Sequence, residues 1–278
     1  MEYAQDRPRS SGEDGAFARW LADRAGELLL EVRAERGHDD PAALKAAGDK
    51  VSHDLIRAEL ARRRPADAVL SEEDDQARRA WVEGVDPMPP ARLAAERVWI
   101  IDPLDGTREF AEEGRSDWAV HVALWSRHAG GPHLLAAGAV ALPAQRRVLA
   151  TDEPPTTPSA ASGGPLRLAV SRSRPPAFLT ALAEEVGAEL VPMGSAGAKI
   201  AAVIGGEVDA YVHAGGQYEW DSAAPVAVAT AAGLHASRID GSALKYNQAD
   251  PRLPDLLVCR AELAHRLLAA LRDQPPSK

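Results

Sequence analysis

Apolar residues recur at helical spacing through Phe17, Trp20, Leu21, Leu28, Leu29 and Val32, which predicts an amphipathic helix of about 17 residues. Ser52 reads as the N-cap of a second helix carrying Leu55, Ile56 and Leu60. A short strand, "AVL" (68–70), then ends in the acidic run "SEEDD" (71–75). The apolar strand Trp99-Ile100-Ile101 runs straight into "DPLDGTR" (102–108), and "REFAEE" (108–113) after it reads as a helix. Three further strand-like runs, at 118–125, 134–142 and 146–151, predict an antiparallel meander.

Beyond residue 165 the pattern alternates between the two periods. Strands are expected at 166–171, 189–193, 208–213 and 255–259, with helices at 176–187, 196–204, 221–232 and 261–272. The fold class is therefore α/β overall, an α+β first half joined to an α/β second half. The segment 152–165, rich in Pro, Ser, Thr and Gly, marks the expected boundary. The expected divisions are a loose N-terminus at 1–14, a first domain at 15–157 and a second at 158–278, with a ligand cleft between the halves. The proline-marked loop "VEGVDPMPPARL" (82–93) beside the acidic run reads either as a lid over that cleft or as a tolerated surface insertion.

With 278 residues, 45% of them hydrophobic, the chain can bury one large core or two moderate ones. No apolar run approaches the roughly 18 residues that a membrane span needs, and the N-terminus lacks the basic-then-apolar order of a signal peptide, so a cytoplasmic location without membrane partners is expected. The single cysteine, Cys259 in "LLVCR", excludes an internal disulfide and reads as a small buried hydrophobe. A net charge of −9 argues against a nucleic-acid polymer as partner, but leaves room for a small phosphorylated ligand held by a metal and a few local cations.

The acidic residues then acquire a chemical meaning. Asp49, Glu72, Glu73, Asp102, Asp105 and Asp221 are each expected at the start or end of an element, where a side chain can reach a shared cleft. Pro103 and Gly106 bend the chain so that Asp102, Asp105 and the Leu104 carbonyl can face one point. An all-oxygen set of this kind suits Mg²⁺, with Mn²⁺ as a substitute, rather than zinc. Crowded carboxylates repel, so the cluster implies metal or proton uptake. A bridging aspartate between two ions would form a clamp for phosphoryl transfer to water. Thr107, directly after the Asp-Gly, is placed to orient that water, with the amides of the helix start facing a phosphate.

"LSEED" (70–74), "DPLDGTREF" (102–110) and "EWDSAAPVAVATAAGL" (219–234) together resemble the inositol monophosphatase superfamily of Mg²⁺-dependent, lithium-sensitive phosphatases over roughly residues 16 to 270. The resemblance implies the layered αβαβα sandwich of sugar phosphatases and two or three Mg²⁺ ions. It implies Glu72 on the first metal, Asp102 bridging, the Leu104 carbonyl on the first metal, and Asp105 and Asp221 on the second. Asp49 and Thr107 would activate water, with Glu73 supporting. One motif departs from the family pattern: "DKVSHDL" (49–55) has Ser52 in place of the usual Thr, and Leu55 where a further Asp is common.

"LAVSRSRPP" (168–176), "GSAGAK" (194–199), "GGQYEWDSAAP" (215–225) and "YNQADPRLPDLLVCR" (246–260) are most similar to the CysQ-like branch of 3'(2'),5'-bisphosphate nucleotidases. That likeness implies hydrolysis of 3'-phosphoadenosine 5'-phosphate to AMP and phosphate, in sulfur assimilation. The substrate contacts implied are Gly106, Thr107 and Asp221 at the metals. For a second phosphate, Ser171, Arg172 and Ser173 at a strand end and Ser195, Gly197 and Lys199 at a helix start supply hydroxyls, amides and cations. The alternatives are an inositol-1-phosphate or fructose-1,6-bisphosphate phosphatase and, in another class, a non-catalytic nucleotide or metal sensor. A homodimer is expected by analogy with other family members.

Overall fold

The computed structural model describes residues 11–74, 91–158, 164–173, 175 and 177–273. Two long helices, α1 (Ser11–Arg36) and α2 (Pro41–Arg63), precede strands β1 (Ala68–Ser71) and β2 (Arg97–Asp105) and the short helix α3 (Thr107–Ala111). Strands β3 (Ala119–Ser126), β4 (Leu135–Leu142) and β5 (Arg147–Ala150) complete the first half. The second half runs β6 (Leu166–Ser171), α4 (Phe178–Val186), β7 (Ala188–Met193), α5 (Ala196–Ile204), β8 (Ala210–Tyr218), α6 (Glu219–Ala231), β9 (His235–Ser237), β10 (Arg252–Cys259) and α7 (Ala264–Asp273).

Each half builds one five-stranded sheet, ordered β1-β2-β3-β4-β5 and β7-β6-β8-β10-β9. In the first, β3 to β5 form the expected antiparallel meander, β2 extends it by pairing antiparallel with β3, and β1 lies parallel to β2. In the second, β6 lies parallel to both β7 and β8, and β10 runs antiparallel to β8 and β9. Three cores hold five layers together, the central one enclosing the middle helix layer. Helices α1 and α2 cover one face of the first sheet through Leu21, Leu29, Ile56 and Trp99. Helices α5 and α6 fill the space between the sheets through Ile200, Val203, Val226 and Val228. Helices α4 and α7 close the outer face of the second sheet through Leu182 and Leu267. This is the αβαβα sandwich expected from the sequence.

Strand β2 shows why the first sheet is buried on both sides. Val98 and Ile100 point into the core between the sheets, whereas Trp99 and Ile101 point toward α1 and α2. The period-two alternation of a strand is thus spent on two apolar faces, leaving only the strand end for polar chemistry.

Several boundaries differ from expectation. The first helix extends well beyond Phe17 and Val32 at both ends. The second starts at Pro41 with Asp40 as N-cap, its side chain accepting from the Ala43 amide at 3.0 Å. Pro at the first helical position and the alanine-rich turns after it carry the helix through Ser52. Ser52 is therefore a buried mid-helix residue, and its Oγ donates to the Pro103 carbonyl at 2.7 Å. The helix after Thr107 is only five residues long, and β9 was not expected. Cys259 is buried, as expected. Of the loop 82–93, residues 82–90 lie outside the described residues.

Candidate active site

The candidate site is built around an irregularity in β2. Asp102 pairs with His121 and Asp105 with Ala119, so three steps along β2 match two along β3. In a regular strand, side chains three apart point to opposite faces. The extra residue of this bulge turns Asp102 and Asp105 to the same side. Pro103, which has no amide hydrogen, costs the ladder nothing at such a point. Gly106 then takes a left-handed conformation (φ +84°), and a Cβ there would lie 3.1 Å from Ser195 and 3.3 Å from the Asp117 carbonyl.

Asp221, in the first turn of α6, completes the constellation. One oxygen from each of Asp102, Asp105 and Asp221 lies within 4.8 Å of the others. All three line a cavity of about 550 Å³, together with Glu72, Leu104, Gly106, Thr107, Ser171, Ser173, Ser195 and Lys199. Burial, and then the repulsion of Glu72, Asp105 and Asp221, holds the Asp102 carboxyl well above the usual carboxylate range. Asp221 is likewise pushed well up by burial and by Asp105 and Glu72, against the opposing pull of the Tyr218 amide, whose nitrogen is 2.6 Å from its Oδ2. A set of oxygen donors that strains against its own charge fits a hard divalent cation.

Asp105 is held differently. Its Oδ2 accepts from Ser195 Oγ at 2.6 Å and from the Gly197 amide at 2.7 Å. The Nε2 of the fully buried His121 stands 3.3 Å from the same oxygen, while its Nδ1 bonds to the Trp220 carbonyl at 3.0 Å. Because that partner is an acceptor, the proton sits on Nδ1. Gly197 is obligatory in this packing, since a Cβ would fall 2.0 Å from His121 Nε2. His121 thus joins β3 to the turn that carries Asp221, with its Nε2 packed beside the Asp105 carboxylate.

Several residues expected to meet a substrate are engaged within the protein. Lys199 is buried, and its Nζ donates to the carbonyls of Gly194 at 3.1 Å and Ser195 at 2.7 Å, with burial lowering its pKa. Ser195 Oγ donates to Asp105 and also accepts from the Ala198 amide at 2.9 Å, as the N-cap of α5. Arg172 is not among the cavity-lining residues. Its guanidinium donates to Glu109 at 2.8 Å and Glu112 at 2.7 Å, which holds it firmly protonated. Ser171 and Ser173 line the cavity.

Asp49 is half-buried inside α2, one turn beyond Lys45, rather than at an element end, and neither it nor Glu73 is among the residues lining the cavity. The structure adds residues that the sequence did not suggest: His121, Lys45, Arg108, Tyr211 and Gln217. Of these only His121 left a signal, as a polar residue in the otherwise apolar run "WAVHVALW".

Residues 14–275 match the inositol monophosphatase family. The chain is 54% identical over 253 residues to a 3'-phosphoadenosine 5'-phosphate phosphatase of Mycobacterium bovis, covering 90% of both chains. It is 52% identical over 268 residues to the Mycobacterium leprae protein of the same name, covering 94% of each. Its fold is similar to the crystal structure of CysQ from Bacteroides thetaiotaomicron, a bacterial member of the inositol monophosphatase family, with a TM-score of 0.73 at 24% identity over 90% of this chain and 98% of that one.

Proposed function

This chain belongs to the inositol monophosphatase family of metal-dependent phosphatases, and we propose that within it the protein removes the 3'-phosphate of 3'-phosphoadenosine 5'-phosphate to give AMP and phosphate. The observation that carries the chemistry is the convergence of Asp102, Asp105 and Asp221 beside Thr107 in one cavity. The substrate is supported by likeness to the mycobacterial phosphatases of that name.

Glu72, Asp102, the Leu104 carbonyl, Asp105 and Asp221 would hold two or three Mg²⁺ ions, with Mn²⁺ as a substitute. Bound there, the ions supply a water of lowered pKa and countercharge for the transferred phosphoryl group. The chain's own residues do the rest. The Thr107 hydroxyl orients the attacking water, and Asp49 supports it from α2. Ser195 and the Gly197 amide fix Asp105 through Oδ2, so that Oδ1 is the oxygen left for a ligand. Lys199 offsets part of the negative charge of Asp105 and Asp221. Glu73 acts as a supporting residue.

Among the described residues no helix is long and apolar enough to cross a membrane. A cytoplasmic enzyme acting on a free small molecule agrees with that observation.

Phosphate release from 3'-phosphoadenosine 5'-phosphate, inositol 1-phosphate and fructose 1,6-bisphosphate, with Mg²⁺ and with added Li⁺, tests the reading. The nucleotide is expected to be preferred and Li⁺ to inhibit. A preference for the inositol substrate would sink the nucleotidase assignment, and release from none of the three would favour a sensor.

A further inference from the structure

We infer that Lys45 and Arg108 form the subsite for the second phosphate of the substrate, the one that is not cleaved. The inference rests on the bisphosphate reading above and assigns two residues to it.

A bisphosphate in this cavity presents two anions to a wall with one acidic pole. The phosphate to be cleaved belongs at the carboxylates, where bound cations compensate its charge. The other needs donors of its own, because the chain carries a net charge of −9 and the carboxylates repel any anion that no cation screens. Among the described residues, four Lys and Arg side chains lie on or next to the cavity wall. Two are spent: the Lys199 ammonium on two backbone carbonyls, and the Arg172 guanidinium on Glu109 and Glu112. The remaining two, Lys45 and Arg108, both line the cavity and form no hydrogen bond or ion pair with any described residue.

Their placement is set by packing. Gly48, one helical turn after Lys45, lies so close to α3 that a Cβ there would stand 2.8 Å from the Phe110 ring. Lys45 therefore emerges from the face of α2 that meets α3. Arg108 is the second residue of α3, directly after Thr107. Both cations thus come from one packed pair of helices, on the side of the cavity that carries Thr107. Lys45 is half-buried and Arg108 exposed. Lysine offers three N–H donors and arginine a planar fork of five, which suits the oxygens of a phosphate. Ser171 and Ser173, which line the same cavity from the end of β6, supply hydroxyls.

The test measures kcat/KM for 3'-phosphoadenosine 5'-phosphate and for 3'-AMP, which has the same scissile phosphate but lacks the second one. The ratio of the two reports the second subsite alone. Lys45→Met and Arg108→Gln are each expected to lower that ratio about 10-fold, the loss of one charge-assisted contact, chiefly through KM. The double variant should lower it further, while Lys45→Arg and Arg108→Lys restore most of it. Calorimetric binding of 5'-AMP, which keeps the second phosphate, should weaken in parallel and should depend on salt. A ratio that stays at its wild-type value in both single variants overturns the inference. Failure of the substrate reading shows separately, as a wild-type enzyme that prefers inositol 1-phosphate.

Discussion

The two sheets contribute unlike things to one cavity. The first supplies Glu72 after β1 and Asp102 and Asp105 at the end of β2, groups that repel one another. The second half adds one more carboxylate, Asp221 from α6, but it also supplies Ser195, the Gly197 amide and Lys199 from α5, groups that hold. Asp102 accepts one backbone hydrogen bond, from the Leu104 amide at 3.1 Å, whereas Asp105 is gripped by two donors from α5 with His121 behind it. Two carboxylates three residues apart therefore have opposite energetic standing. One is strained by charge and the other is tied into the fold.

The contrast is sharpest under substitution. Asp102→Asn is expected to lower kcat about 1000-fold, several kcal/mol of transition-state stabilisation, while raising the thermal midpoint of the metal-free protein because a desolvated charge is gone. Asp105→Asn should also abolish most activity, yet lower the midpoint, since Ser195 and Gly197 lose a charged acceptor. Equal midpoint shifts in calorimetry would remove the distinction. The next largest effect is expected for Gly197→Ala, where overpacking against His121 should cost about 1–3 kcal/mol of stability. Through displaced Asp105 it should also weaken Mn²⁺ binding about 10–100-fold, read by electron paramagnetic resonance of the metal itself.

A smaller effect follows from protons. Burial and like charge raise the native pKa values of Asp102 and Asp221 above their unfolded ones, so the metal-free native state holds protons more tightly than the unfolded chain. That stability is present at acid pH and lost as pH rises toward the raised native values. Between about pH 5 and 8 the midpoint in chelator should therefore fall relative to that with Mg²⁺, opening a gap of at least about 2–4 °C. A gap that narrows with rising pH would mean that the two aspartates do not control the site.

Much of the chemistry was legible in a short stretch of sequence because it is local. Asp102, Pro103, Asp105, Gly106 and Thr107 encode a bulge, a left-handed turn and a carboxylate pair within six residues. The long-range parts were not legible. Nothing near Arg172 announces that Glu109 and Glu112 will claim it, because those partners come from another element far back along the chain. Ser52 read as a helix start because its side chain suits a cap, when its hydroxyl instead bonds to the Pro103 carbonyl across a tertiary contact. That misreading placed Asp49 at an element end and left Lys45 outside any helix. The alternation of strands and helices in the second half was readable throughout, except for the three-residue β9, too short to carry a period.

The close approach of Gly197 to His121 has a consequence for how this chain can change over generations. The two positions share one parcel of volume, and neither can drift alone: a side chain at 197 is admitted only after the residue at 121 has shrunk, and a large ring at 121 persists only while 197 is bare. Among descendants of this sequence the pair should therefore show epistasis, trading volume in step. The order of the two steps matters, because shrinking the residue at 121 first leaves a cavity the fold can tolerate, whereas adding the methyl first does not fit.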